Sequence, residues 1–330
     1  MLLFLLALFL PAVGQEFSVM FYNAENLFDT VDDTTRNDEE FLPGGDRRWT
    51  AGRYHKKISA ISRAIAAAGE WELPALIGLC EVENEEVVMD LAFGDLLSAG
   101  QYGVVHRDSP DLRGIDVALM YRKDYFTIAE VRSWVPLRPD NDPFLSRNLL
   151  YAKAVMDSDT LHVIVCHFPS RRGGVLATQG AREEMAQLLR IKTDSILSVT
   201  ADAAIIIMGD FNAGPDDEIM KNLTCGDLLV NASDRLVSGE KGTYRYQGQW
   251  EVIDQIVISS TMAVGTGAFH ADPESVRVPD APFLLTEDGT YPGMKPFATY
   301  AGFSWAGGYS DHLPVVITIN NRQELPWLQP

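Results

Sequence analysis

The chain is punctuated by short, almost wholly apolar runs, and several of them stop on a carboxylate or a histidine. Leu76-Ile77-Gly78-Leu79-Cys80 leads into Glu81, Val163-Ile164-Val165-Cys166 into His167, and residues 203–208 into Gly209-Asp210. Runs of this kind, bounded by turn residues, are buried strands. A charge placed directly after one emerges at the rim of a sheet. Further strands are expected over 17–27, 104–105, 117–121, 126–135, 252–259 and 314–319. Residues 150–156 and 161–167 should pair as a hairpin around Asp157-Ser158-Asp159. Helices are expected over 54–68, where Ile58, Ile61 and Ile65 recur at helical spacing, over 85–97, and over 179–197. Strands outnumber helices, and helices fall only between some of them. That order predicts two packed sheets with helices outside rather than one parallel sheet. Residues 29–48 read as a surface loop, and the Pro-rich stretch 272–300 as a long irregular loop near the site.

Length and charge bound the function. The 330 residues can bury a large core, and no linker, repeat or composition break divides them. The net charge of −19 opposes tight, non-specific attraction to a phosphate polymer. Bound cations or a local basic patch reverse that field at a cleft, so a nuclease stays open. Residues 1–10 are almost wholly apolar, and Ala12 and Gly14 fit a small-residue cleavage site. The expectation is a signal peptide over 1–14, a single domain over 15–330, and a secreted or periplasmic protein with no stable membrane anchor. Of the three cysteines, Cys80 and Cys166 sit in apolar runs and read as core residues. A bridge between those two across neighbouring strands is the alternative. No protein partner is evident.

Hydrolysis of a phosphoester with a divalent metal needs a carboxylate for the cation, a group that positions water, and donors for the charge developing on phosphorus. The strand ends supply such groups. Asn23 and Asn26 close the first strand, and Glu81 closes the second. His167 precedes Phe168-Pro169-Ser170-Arg171-Arg172-Gly173-Gly174, whose arginines suit an anion. Met208-Gly209-Asp210-Phe211-Asn212-Ala213 and Gly307-Gly308-Tyr309-Ser310-Asp311-His312 each set an acid beside a strong hydrogen-bonding group. Asp254 is embedded in Val252-Ile253-Asp254-Gln255-Ile256-Val257, where an unpaired charge is costly, and His312 is its natural partner. Asp116, in Gly114-Ile115-Asp116-Val117-Ala118-Leu119, raises the same question, and His167 is the partner expected for it.

Taken in order, Asn23, Glu81, His167, Gly209-Asp210-Phe211-Asn212, Ile253-Asp254 and Ser310-Asp311-His312 resemble the endonuclease/exonuclease/phosphatase family. That family includes pancreatic deoxyribonuclease, abasic-site endonucleases, sphingomyelinases and inositol-phosphate phosphatases. The resemblance implies an α/β fold: a four-layer α/β sandwich of two packed mixed β-sheets flanked by helices, with the site where strand ends of both sheets meet. It implies that Glu81 binds Mg²⁺ or Mn²⁺ with help from Asn23 and Asp311. Asp210 orients or deprotonates the attacking water, and Asn212 holds phosphate or that water. His312, paired with Asp254, stabilises the transition state, and His167 contacts a phosphate oxygen. Gly242-Thr243-Tyr244-Arg245-Tyr246 and Thr299-Tyr300 resemble the bacterial secreted branch, which implies phosphate contacts for Arg147, Arg171 and Arg245.

The family fixes chemistry better than substrate. The leading expectation is an endonuclease acting on DNA or RNA, gripping a strand by the pair Arg171-Arg172 and by stacking on Tyr244, Tyr246, Trp250 and Tyr300. The alternative is a phosphatase or phospholipase C-like hydrolase of a small or lipid phosphoester, such as an inositol phosphate or sphingomyelin. A lesser alternative is a non-catalytic binding module, which the intact set of acids and histidines opposes.

Overall fold

A computed structural model describes residues 14–94, 96–136, 146–171, 173–238 and 241–321. Two six-stranded sheets carry the fold. The strands of the first are β1 (Gln15–Leu27), β2 (Leu76–Val82), β3 (Tyr102–His106), β4 (Asp116–Arg122), β13 (Phe269–Ala271) and β18 (Val315–Asn321), in the order β13-β18-β1-β2-β4-β3. The strands of the second are β5 (Thr127–Trp134), β6 (Leu149–Met156), β7 (Asp159–His167), β8 (Ala204–Asp210), β9 (Leu229–Asn231) and β12 (Asp254–Ser259), in the order β5-β6-β7-β8-β12-β9. Three small hairpins decorate the end that carries the site: β10 (Tyr244–Tyr246) with β11 (Gln249–Glu251), β14 (Leu285–Glu287) with β15 (Met294–Pro296), and β16 (Tyr300–Ala301) with β17 (Ser304–Trp305).

Each sheet has one parallel pair at its centre, β1 with β2 and β7 with β8, and antiparallel neighbours on either side. A parallel pair needs a crossover, usually a helix. These are α1 (Ala51–Ala68) and α3 (Gln179–Val199). The two halves thus repeat one pairing pattern although the sequence shows no repeat. The C-terminal ends of both parallel pairs lie at the same end of the molecule, where Asn23 and Glu81 meet His167 and Asp210.

The alternation of side chains along each strand produces three apolar layers. Between the sheets lie Phe21, Leu119, Val163, Val165, Met208, Ile256, Val315 and Ile317. Outside the first sheet, Met20, Ile77 and Leu79 pack on Ile58, Ile61 and Ile65 of α1 and on Val87 and Leu91 of α2 (Glu85–Ala92). Outside the second, Ile164, Ile205 and Ile207 pack on Met185 and Leu189 of α3 and on Met220 and Leu223 of α4 (Glu218–Thr224). A last short helix, α5 (Ser260–Val264), follows β12. The four-layer sandwich is therefore as expected.

Differences from the expected elements are local. The helix expected to run to residue 97 stops at Ala92, where the amides of Phe93 and Gly94 close on Met89 and Leu91. The 272–300 stretch contains β14, β15 and the first residue of β16 rather than loop alone. Cys80 faces the inter-sheet core and Cys166 the outer layer, so the two thiols point to opposite sides of the sheets and are free. All but the last residue of the expected leader lies outside the described residues. Among the described residues no helix is long and apolar enough to cross a membrane.

Candidate active site

The strand ends are bent into the site by backbone conformations unusual for side-chain-bearing residues. Glu25, Asn26, Glu81 and Asn212 all have positive φ, at 48°, 54°, 57° and 47°. Such positions are uncommon outside glycine and concentrate at functional sites. The pairing of β1 with β2 breaks register between Asn23 and Leu27, and that of β2 with β4 between Cys80 and Val82. These bulges re-aim Asn23 and Glu81 out of the ladder. The backbone amide of Asn26 then donates to Glu81 Oε2 at 3.0 Å, fixing the carboxylate.

Asp210 sits at the centre. Asn23 Nδ2 donates to its Oδ2 at 3.2 Å, and the Asn212 amide donates to its Oδ1 at 2.9 Å. His167 Nε2 lies 3.7 Å and His312 Nε2 4.0 Å from the same Oδ2. His167 Nε2 is also 4.0 Å from Glu81 Oε1. On the far side of its ring, His312 Nδ1 meets Asp254 Oδ2 at 2.7 Å. Tyr244 tilts over the His312 ring with centroids 4.8 Å apart. Thr243 accepts from the amide of Asp254 at 3.1 Å, and its carbonyl accepts from Leu313 N at 2.6 Å. Asp254 and His312 are thereby locked from two directions.

The two histidines are driven to opposite protonation states. Burial alone would lower His312, but the charge and hydrogen bond of Asp254, with Asp311 and Asp210, raise it well above its ordinary value. Burial lowers His167 well below the ordinary range, reinforced by Arg147, Arg113 and His312. Burial and the charge of Asp254 push Asp210 up to about 7, with His312 opposing. Asp311, whose side chain is 46% exposed onto the cleft, is also raised to about 7 by desolvation from the surrounding protein and by Glu25. Carboxylates raised this way mark uncompensated negative charge. Glu81, Asp210 and Asp311 bring carboxylate oxygens to one cleft, the donor type that suits a hard divalent cation, whereas Asn23 turns its amide oxygen to the Glu25 amide and its NH2 to Asp210. Burial and the charge of Asp210 push the Cys80 thiol up.

Glu81, His167, Asp210, Asn212, Asp311 and His312 line a cleft of about 500 Å³ whose other walls are Ser170, Arg171, the Gly173-Gly174-Val175 turn, Tyr244, Tyr246 and Ile253. A slightly larger hollow of about 600 Å³ lies on the outer face of the second sheet around Trp134, Tyr151 and His162. It holds none of the strand-end groups, so the chemistry assigns the smaller cleft.

Four expected site residues are placed elsewhere. Asp116 does not pair with His167; it faces His106 Nε2 at 3.3 Å and accepts from Ser109, because β3 and not β7 is the neighbour of β4. Arg147 is buried behind the site, donating to Asp111 at 3.0 Å and to the Phe168 carbonyl at 2.8 Å. Its charge acts on His167 from the rear rather than on a phosphate. Arg245 is tied to Asp288 and to the carbonyls of Pro292 and Met294, away from the cleft lining. Asn26 contributes its backbone amide. Arg171 does reach the wall, in an ion pair with Glu251. Two residues were missed by sequence reasoning: Glu25, beside Asn23 in the bulge, and Lys57, which falls on the inward face of α1. Its spacing with Tyr54, Ile58 and Ile61 was the available signal.

A hydrolase of phosphoesters is the class to which this fold and these strand-end groups point. The chain matches the model of the Endonuclease/Exonuclease/phosphatase family over residues 18–321, and it belongs to that family. It is a phosphoester hydrolase. An endonuclease/exonuclease/phosphatase family protein from Bacteroides thetaiotaomicron superposes with TM-score 0.60 at 16% identity, covering 94% of this chain and 100% of that one. A mannosyl-6-phosphatase from the same organism gives 0.57 at 17%, covering 92% and 99%. D. rerio TDP2 in complex with single-strand DNA product gives 0.55 at 17%, covering 93% and 99%. Among curated proteins no sequence matches.

Proposed function

We propose that the cleft hydrolyses phosphoesters by attack of water on phosphorus, with Glu81 and Asp311 holding a divalent cation of the Mg²⁺ or Mn²⁺ class, while Asn23, expected among the ligands, instead donates to Asp210. When bound, the cation neutralises charge on the phosphoryl oxygens and polarises the scissile bond. Asp210, raised toward neutrality and fixed by Asn23 and Asn212, accepts a proton from the attacking water. His312, kept protonated by Asp254, donates from Nε2 toward the charge that develops on the phosphoryl group. His167, kept neutral by burial, lies beside the same Asp210 oxygen as an uncharged donor. The observation that carries this reading is the asymmetric pair of histidines about Asp210: Asp254 stands behind His312, and among the described residues no group bonds the far nitrogen of His167.

The same geometry favours substrates that present one phosphate at a time, such as a small phosphoester or the end of a nucleic acid. Arg171 is the one arginine or lysine among the described residues lining the cleft, and Glu251 neutralises it. With a net charge of −19, no run of basic side chains among the described residues of the cleft tracks a polyanion, and Arg172, expected beside Arg171, lies outside the described residues. The endonuclease reading rests on the exposed ring of Tyr246 at the cleft wall, a platform for a base. A panel of phosphosugars, nucleotides, inositol phosphates, sphingomyelin, end-labelled single-stranded DNA and supercoiled plasmid separates these readings. Turnover of small or terminal phosphoesters without plasmid nicking supports the first, and nicking as the dominant activity overturns it. We also propose export to a secreted or periplasmic location from the apolar leader, which cell fractionation tests.

A further inference from the structure

Lys57 is wholly enclosed, on the inward side of α1, and does not line the cleft. Its Nζ donates to the Thr299 hydroxyl and to the Tyr309 carbonyl at 2.5 Å, and lies 3.8 Å from Glu25 Oε2. Glu25 is also buried, and the same oxygen accepts from the Thr299 amide at 2.6 Å. The bonds continue in both directions toward the cleft. The Glu25 amide donates to Asn23 Oδ1 at 2.9 Å, turning the Asn23 Nδ2 toward Asp210. From Tyr309 the chain runs on to Ser310, whose hydroxyl donates to the Asn23 carbonyl at 2.8 Å and accepts from the His312 amide at 3.1 Å.

Space-filling does not explain this arrangement. A methionine would occupy the same volume without the desolvation that a buried ammonium incurs. Both charges instead clamp one place: the β1 bulge that carries Asn23 and the 299–312 segment that carries Asp311 and His312. We propose that Lys57 and Glu25 are positioning residues, a buried ion pair that seats this segment on the bulge and so sets the geometry of Asn23, Asp311 and His312. The kinetic part of the proposal rests on the phosphoester reading above; the structural part does not.

The test compares wild type with Lys57→Met, Glu25→Gln and the double variant. Lys57→Met strands a buried carboxylate and is expected to melt early, so alone it cannot separate folding from positioning. The double variant removes both charges at similar volume. It is expected to melt close to wild type, yet to exchange the Thr299 and His312 amides at least about tenfold faster. Its kcat should fall about tenfold or more with KM nearly unchanged, the pattern of a group acting on the transition state. Wild-type exchange rates in a stable double variant overturn the proposal. So does faster exchange with unchanged kcat, which reduces the pair to a fold staple. If the double variant does not fold, Glu25→Gln, which keeps the shape, carries the same comparison. If wild type cleaves nothing, the phosphoester reading falls while the exchange arm still decides whether the pair seats the segment.

Discussion

At the residue scale, the account turns on Asp254 and His312. A carboxylate in the middle of an apolar strand must be paired, and that need is legible in the sequence, which offers His312; the pair forms at 2.7 Å. Asp254→Asn keeps the shape and removes the charge that holds His312 protonated. It is expected to lower kcat by about 10²-fold or more with little change in KM, the loss typical of a positioned proton donor, measured by steady-state kinetics on the best substrate of the panel. The same reasoning misled for Asp116. Burial shows that a carboxylate needs a partner but not which one, and His106 became its partner through the non-local neighbourhood of β3 and β4. Arg147 and Arg245 failed for a related reason: an arginine near a motif in sequence is as readily spent on carbonyls and acids of its own scaffold.

At the scale of elements, the apolar runs were legible because burial on both faces leaves little choice of residue type. The hairpins β14–β15 and β16–β17 were not, since two or three residues give no period to read. Nor was the pairing order, which rests on contacts distant in sequence. The parallel pairing of β7 with β8 carries His167 opposite Asp210 and leaves no room for a side chain at Gly209. A Cβ there would lie 2.4 Å from the Cys166 carbonyl oxygen and 2.3 Å from its sulfur. Gly209→Ala is therefore expected to destabilise the fold by about 1–3 kcal/mol, as overpacking does, and to disturb the His167–Asp210 geometry as well. Chemical denaturation with unchanged stability would contradict this account of the pair.

At the scale of the whole molecule, the site is an excess of buried acid in an already acidic protein. Asp210, buried, is raised to about 7 in the fold against an ordinary value of 3.8, and Asp311 is shifted the same way but is nearly half exposed, so solvent screens its contribution. Between roughly pH 4 and 7 the folded state keeps protons that the unfolded state has released, so these groups lower stability progressively as pH rises through that window. His167 acts oppositely: held neutral when folded, it costs stability as pH falls below its unfolded value near 6.5. A divalent cation in the donor set relieves the carboxylates and competes with their protons. The rise in melting temperature on adding Mg²⁺ or Mn²⁺ to metal-free protein should thus be several degrees larger at pH 8 than at pH 5. An equal rise at both, or none, would count against a cation at these residues.

The most direct measurement is release of 4-nitrophenol from 4-nitrophenyl phosphate and bis(4-nitrophenyl) phosphate by wild type and by His312→Ala, each with Mn²⁺ and with EDTA. The account predicts turnover by wild type with metal, none in EDTA, and a fall of about 10²–10⁴-fold in His312→Ala, assayed below its melting temperature, which the stranded Asp254 carboxylate is expected to lower. Equal turnover by the two proteins, or turnover indifferent to EDTA, would show that the chemistry does not run in this cleft.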